Sequence, residues 1–270
     1  MALFDIIDDI AERQITKTET GDNRILGVIL GTVVKNYDKD MPGRVCVTVP
    51  VRDSEANELK WARVASVSSG TGWGHYFLPE VGDQVLLVFE QGNIERPYVI
   101  GCIPKDSNRF LKQAVDEQNQ YKKIITKNGN QIIFEDNKEG EGEKDKIKIE
   151  TAKSVYKFEM DNEKKTVTIT DKEGKNKLLM KTENGQMEIV AEKKLTIKVG
   201  DNIELILNGS NGTTELKTNK FKIEANETVN VNANSNMKLN GGNVALEANA
   251  TLKLESSGAV TVSGTPIKIG

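Results

Sequence analysis

From Phe221 onward, apolar and polar positions alternate in segments of eight. They read FKIEANET, VNVNANSN, MKLNGGN (one residue short), VALEANAT, LKLESSGA and VTVSGTPI, followed by KIG. The first and third positions of each segment are apolar: Phe221 and Ile223, Val229 and Val231, Met237 and Leu239, Val244 and Leu246, Leu252 and Leu254, Val260 and Val262. Apolar residues two apart share one face of an extended strand. The intervening Asn, Ala, Ser, Gly and Thr suit a bend. Each octad therefore predicts a short strand and a corner, and the fixed period predicts a solenoid.

A strand this short cannot bury its apolar stripe alone. A single chain closing a triangular prism needs three strands per coil, and no threefold superperiod is visible above the octad. Three chains winding about one axis solve the problem with an eight-residue identity period, because each chain then supplies one wall at every level. The pattern favours the three-chain prism and leaves a single-chain solenoid as the alternative.

Upstream, strand–turn–strand units run from Ile124, at first longer and more charged (IITKNGNQIIFEDN, KIKIETAK, YKFEMDNEKK, TVTITDKEGK), and the octad settles from Leu179. Asn208–Thr214 (NGSNGTT) interrupts it as a bulge or small loop. Residues 25–104 hold five strand-like runs, Ile25–Val34, Arg44–Val49, Trp61–Val67, Gln84–Phe89 and Tyr98–Ile103, separated by turn sequences. This spacing fits a small Greek-key barrel of the OB-fold type. Residues 105–123 read as a polar linker with a short helix near Phe110–Glu117. Near the N-terminus, Phe4, Ile7, Ile10 and Ala11 share one helix face opposite Asp8, Asp9 and Glu12. So short a helix is marginal alone, which predicts docking on a partner. The expected order is a docking segment (1–26), a barrel (27–104), a linker (105–123) and a needle (124–270).

Charge changes this picture little. The chain of 270 residues has a net charge of −3 and 5% aromatic residues. Residues 1–120 carry 13 Lys+Arg against 18 Asp+Glu, and residues 121–270 carry 24 against 22. Neither half has the basic footprint of a nucleic-acid binder, so no nucleic-acid partner is expected. Cys46 and Cys102 lie in apolar runs and read as small buried hydrophobes. The N-terminal segment has Asp where a signal peptide needs positive charge, and no apolar stretch is long enough to span a membrane. Synthesis in the cytoplasm without a signal peptide is expected.

Several motifs together resemble a known family. Gly31–Asp38 (GTVVKNYD), Pro42–Val47 (PGRVCV), Trp61–Val64 (WARV), Gly72–Asp83 (GWGHYFLPEVGD), Phe89–Asn93 (FEQGN) and Arg96–Gly101 (RPYVIG) resemble, in order, the OB-fold domain of contractile-tail spikes. These include phage baseplate assembly protein V and the VgrG spikes of type VI secretion. Thr126–Asn130 (TKNGN) and Lys146–Thr151 (KIKIET) are similar to the start of the VgrG needle. The resemblance implies an all-β protein in which an N-terminal OB-fold barrel precedes an intertwined triple-stranded (trimeric) β-helix needle. It implies a homotrimeric structural spike at the baseplate of a bacterial machine, acting in an assembled particle that pierces a target envelope. The 26 residues before the barrel imply a separate hub protein, docked through Phe4, Ile7 and Ile10. The ending Thr265-Pro266-Ile267-Lys268-Ile269-Gly270 implies a blunt platform for a PAAR-type tip protein. Some phage spikes end in a histidine-rich, iron-binding apex, but His75 is the only histidine here and lies far from that end.

Enzymatic chemistry finds little material. A Ser-His-Asp or Cys-His site would have to use His75, whose neighbours Trp73, Tyr76 and Phe77 suggest a packed loop. One histidine and two separated cysteines do not make a metal site, and no cofactor is expected. Gly70–Gly74 (GTGWG) lacks the Lys-Ser/Thr ending of a phosphate-binding loop. Trp61, Phe89 and Tyr98 read as barrel core, not as a stacking platform for bases. Two other readings remain: a cell-wall-degrading spike, which the short barrel–needle gap disfavours, and the shaft of a receptor-binding fibre.

Overall fold

A computed structural model of the chain describes residues 3–19, 21, 23–50, 58–105 and 109–269. It divides into two compact units, residues 1–194 and 195–270.

The first unit opens with helix α1 (Leu3–Thr16). Five strands follow: β1 (Ile29–Lys35), β2 (Arg44–Val49), β3 (Glu58–Val64), β6 (Gln84–Phe89) and β7 (Pro97–Ile103). They close into a barrel in the order β1-β2-β3-β7-β6. The β3–β7 pair is parallel and the other pairs are antiparallel. A small hairpin, β4 (Ser69–Gly70) and β5 (Trp73–Gly74), lies between β3 and β6. Alternation decides what faces inward. Along β6, Val85, Leu87 and Phe89 are buried while Gln84, Leu86 and Val88 are half-buried. With Val33, Val45, Val47, Val49, Ala62 and Val99 they form the core. Gly31 lets β1 approach closely: a Cβ there would stand 2.7 Å from Leu87 Cδ1 and 2.8 Å from the Thr48 carbonyl oxygen.

β2 and β6 coincide with their predicted runs, but other expectations need correction. β1 starts four residues after Ile25, and β3 starts before Trp61 and stops at Val64. Cys46 is buried, whereas Cys102 is exposed. Pro97 and Val99 turn inward on β7 and Tyr98 outward; a bulge at Ile100 then shifts the register, so Cys102 stands opposite the inward Val85 and is nonetheless exposed near the end of β7. Burial raises both thiol pKa values; the Asp83 carboxylate adds to the rise at Cys102, and Lys35 opposes it at Cys46. Of the three aromatics assigned to the core, only Phe89 is there. Trp61 and Tyr98 lie half-buried on the outer wall, in register with outward positions.

Helix α2 (Arg109–Ala114) leads into a seven-stranded antiparallel meander. Its strands are β8 (Tyr121–Ile125), β9 (Gln131–Glu135), β10 (Lys146–Glu150), β11 (Tyr156–Asp161), β12 (Thr166–Asp171), β13 (Lys177–Lys181) and β14 (Gln186–Val190). It begins three residues before the expected Ile124. Tight turns fix the register. Asp171, for example, accepts the backbone N–H groups of Lys175 and Asn176 and the Asn176 side-chain amide, which hold its carboxyl below the usual range.

The second unit holds a three-stranded sheet of β15 (Lys194–Val199), β16 (Ile203–Asn208) and β17 (Thr213–Lys217). Asn208–Thr214 is the turn of the β16–β17 hairpin, whose register runs Asn208 to Thr213. Beyond Lys217 the described residues form no further strand, and all except the half-buried Thr218 are exposed.

Candidate assembly surfaces

Register divides the meander into two unlike faces. On one face, directly paired positions form two unbroken apolar rows. The first is Phe134–Ile147–Met160–Val167–Met180–Met187. The second is Ile124–Ile132–Ile149–Phe158–Ile169–Leu178–Ile189. In a sheet with one buried face, such a face lies on a core. Among the described residues most of this face is open: Ile169 is 50% exposed, Ile189 60% and Met187 67%. A continuous apolar area of this extent marks an interface.

The opposite face is ionic. Lys148 lies 2.9 Å from Glu135 on β9 and 4.0 Å from Glu159 on β11, and Lys157 lies 2.7 Å from Glu159. Lys177 and Lys181 both reach Glu188, at 3.2 and 2.6 Å, and their hydrogen bonds depress its pKa. Thr166, Thr168 and Thr170 stand among them. Asp161, at the edge of this network, is only 2% exposed. Burial works against its ionisation. The Lys164 backbone N–H, the Lys146 ammonium at 3.4 Å and the Lys164 ammonium at 3.5 Å outweigh that and lower its pKa.

The octads present the predicted apolar positions without any ladder to cover them. Phe221, Ile223, Val229, Val231, Met237, Leu239, Val244, Leu246, Leu252, Leu254, Val260 and Val262 are all exposed. Single-chain coils would pair these segments with each other, and no such pairing exists among the described residues. The sequence had placed apolar trimer-core positions only in the octads; the two meander rows went unrecognised. Their signal was nonetheless in the sequence, as KIKIE, TVTIT and QMEIV with period two. At the chain end, Thr265 to Lys268 and Ile269 are exposed, and Gly270 lies outside the described residues. On α1 every described side chain is exposed, including Ile7 and Ile10; nothing is described of the Phe4 side chain.

His75 sits in an open hairpin instead of a packed loop. Trp73 is 65% exposed and Tyr76 73%. The Ser68 hydroxyl lies 2.9 Å from His75 Nδ1, and the Ser66 hydroxyl donates to the carbonyl oxygens of Ser68 and His75. These bonds tie the hairpin together. Among the described residues no cluster of three or more His, Cys, Asp or Glu side chains is placed to hold a metal ion. No helix among them is long and apolar enough to cross a membrane.

Comparison with known proteins places the barrel. Residues 29–103, from the start of β1 to the end of β7, match the type VI secretion system/phage-baseplate injector OB domain. The chain is similar to three type VI secretion system spike proteins of Pseudomonas aeruginosa (strain PAO1). It is 30% identical to VgrG2a over 87 residues, 31% of this chain and 10% of that protein. It is 33% identical to VgrG5 over 93 residues, 32% of this chain and 12% of that protein. It is 27% identical to VgrG1c over 124 residues, 42% of this chain and 17% of that protein. The similarity thus spans less than a fifth of these relatives' length. What the family match covers in this chain is the OB barrel, residues 29–103.

Proposed function

We propose that the protein is the structural central spike of a contractile injection system, a homotrimer at the baseplate that is driven through a target envelope. One observation carries this reading: a barrel of the injector type is continued by a sheet with one face apolar and uncovered. Three such sheets, turned inward around one axis, bury their rows against each other and leave the ionic faces to water. The octads carry a stripe of their own, with Phe221, Ile223, Val229, Val231, Met237, Leu239, Val244, Leu246, Leu252, Leu254, Val260 and Val262 as the trimer core. Their backbone groups then pair between chains. A closed prism has no free lateral edge, which resists both bending and edge-to-edge aggregation.

In this reading α1 contacts a separate hub protein through Phe4, Ile7 and Ile10. The segment Thr265-Pro266-Ile267-Lys268-Ile269-Gly270 forms a platform for a PAAR-type tip protein. The chain is made in the bacterial cytoplasm and works inside the assembled particle. It catalyses no reaction; sheath contraction supplied by other proteins provides the force.

Hydrogen–deuterium exchange over residues 221–262 tests the reading. Interchain ladders should slow exchange there by orders of magnitude, since protection reports a stable hydrogen-bonded state. Exchange at the rate of an unstructured peptide throughout this segment would refute the needle.

A further inference from the structure

The outer wall of the barrel carries a basic, aromatic pocket of about 390 Å³, lined chiefly by Arg44, Trp61, Arg63, Glu90, Arg96 and Tyr98. Arg44 and Arg63 are register partners across β2 and β3, and Arg63 is also the partner of Tyr98 across β3 and β7. Cys46 and Trp61 pair next along the same two strands. The other charges of the pocket are matched. Tyr98 donates to Glu90 at 2.7 Å and Arg96 lies 3.0 Å from it, and these bonds lower the Glu90 pKa. Lys60 pairs with Glu95. Arg44 and Arg63 have no ion pair or side-chain hydrogen bond among the described residues; the field of Arg63 reaches Glu90 only as the weakest contribution to that shift. Like charges directly opposite each other on a sheet are destabilising, unless an anion joins them. Two arginine forks beside Trp and Tyr are built for carboxylates and have the composition of a binding hot spot.

The chain itself supplies a complementary element. The sequence of α1, LFDIIDDIAERQIT, carries four acidic residues and one arginine. At helical spacing Asp8 and Glu12 share one arc, opposite the arc of Ile6, Ile7 and Ile10. Asp8 and Glu12 are exposed. The segment after α1 is tied to the barrel's β6–β7 turn: Lys17 bridges to Asn23, Arg24 N–H donates to the Thr16 carbonyl, and Ile25 N–H donates to the Gly92 carbonyl. The described side chains of α1 are all exposed. Among the described residues neither Asp8 nor Glu12 pairs with Arg44 or Arg63, which leaves both sets of charges to a contact between copies.

We propose that the pocket around Arg44 and Arg63 is a carboxylate-binding site that seats the acidic face of α1 from a second copy of this chain. This rests on the trimer proposed above. It locks the barrels into a ring while leaving the isoleucine face of α1 free for a hub. The test is disulfide trapping in the full chain with Asp8→Cys and Arg44→Cys, in a Cys102→Ser background, with mass in solution measured before oxidation. Covalent dimers and trimers are expected on a non-reducing gel. Adding Arg63→Glu should cut their yield at least tenfold, and adding Glu12→Lys to that variant should restore it. A shifted monomer band alone would mean α1 folds back on its own barrel and would overturn the proposal. A particle of trimer mass without any cross-link would overturn it while leaving the spike reading intact. A monomer mass before oxidation would remove both.

Discussion

Ile149 on β10 and Phe158 on β11 stand directly opposite each other, in the middle of an apolar row that crosses seven strands and stays largely open among the described residues. One residue further along β10, Glu150 pairs with Lys157 on the ionic face. Each strand from β9 to β14 thus separates a wet face from a dry one, and the dry face requires a partner.

Adjacent residues on β12 test this separation. Ile169→Lys puts a charge in the apolar row; in a trimer three unpaired ammonium groups would meet at one level. Desolvation of that kind costs several kcal/mol per group, so trimers should be lost. Thr168→Lys places the same charge on the ionic face and should leave assembly unchanged. Size-exclusion chromatography with light scattering reads both, and equal behaviour of the two variants would mean the faces are assigned wrongly.

The octads allow the same test farther along the chain. Val244→Lys or Leu254→Asp should prevent stable trimer formation, whereas Asn243→Lys, outside the stripe, should not. Resistance of the trimer to dissociation in sodium dodecyl sulfate would report this directly. A fully stable Val244→Lys trimer would put the stripe on the outside.

The barrel should respond as an independent core. Leu87 is fully buried, so Leu87→Ala should cost about 2–5 kcal/mol. Gly31→Val drives side-chain atoms into Leu87 and the Thr48 carbonyl and should cost about 1–3 kcal/mol or more. Urea unfolding of the full chain, followed by Trp61 and Trp73 fluorescence, measures both. Neither variant should lose the trimer, because the proposed trimer core lies outside the barrel.

Asp161 predicts a pH dependence. Its pKa is lowered in the folded chain, so the unfolded chain binds its proton more readily. The contribution to stability is complete above the ordinary Asp value near 4 and is lost as pH falls through the lowered folded value. Asp161→Asn should remove that part of the acid sensitivity. At neutral pH it should cost about 1–3 kcal/mol, since Lys146 loses its buried partner. Circular dichroism melts between pH 7 and pH 3 distinguish the two chains; parallel pH profiles would show that Asp161 is not a source of the sensitivity.

Much of this was legible in the sequence because it depends on local period. The β2 and β6 runs are bounded by turn residues, and their ends fell where expected. The octad corners were equally plain. What was misread depended on parity and on register. Cys102 lies in the same apolar run as Val99, but a bulge separates them and its place near the end of β7 leaves it exposed. Trp61 and Tyr98 look like core by composition, yet their partners Cys46 and Arg63 share the outward parity of β2 and β3. The two meander rows escaped notice because each strand offers only two or three apolar positions among Lys and Glu. Only the register, with Phe158 between Ile149 and Ile169, joins them into a surface.

The central claim is that three chains share one apolar axis, and absolute mass in solution tests it most directly. Multi-angle light scattering at low and high salt should give three times the chain mass of 29.8 kDa, unchanged by salt because the burial is apolar. A monomer mass under both conditions would contradict the account.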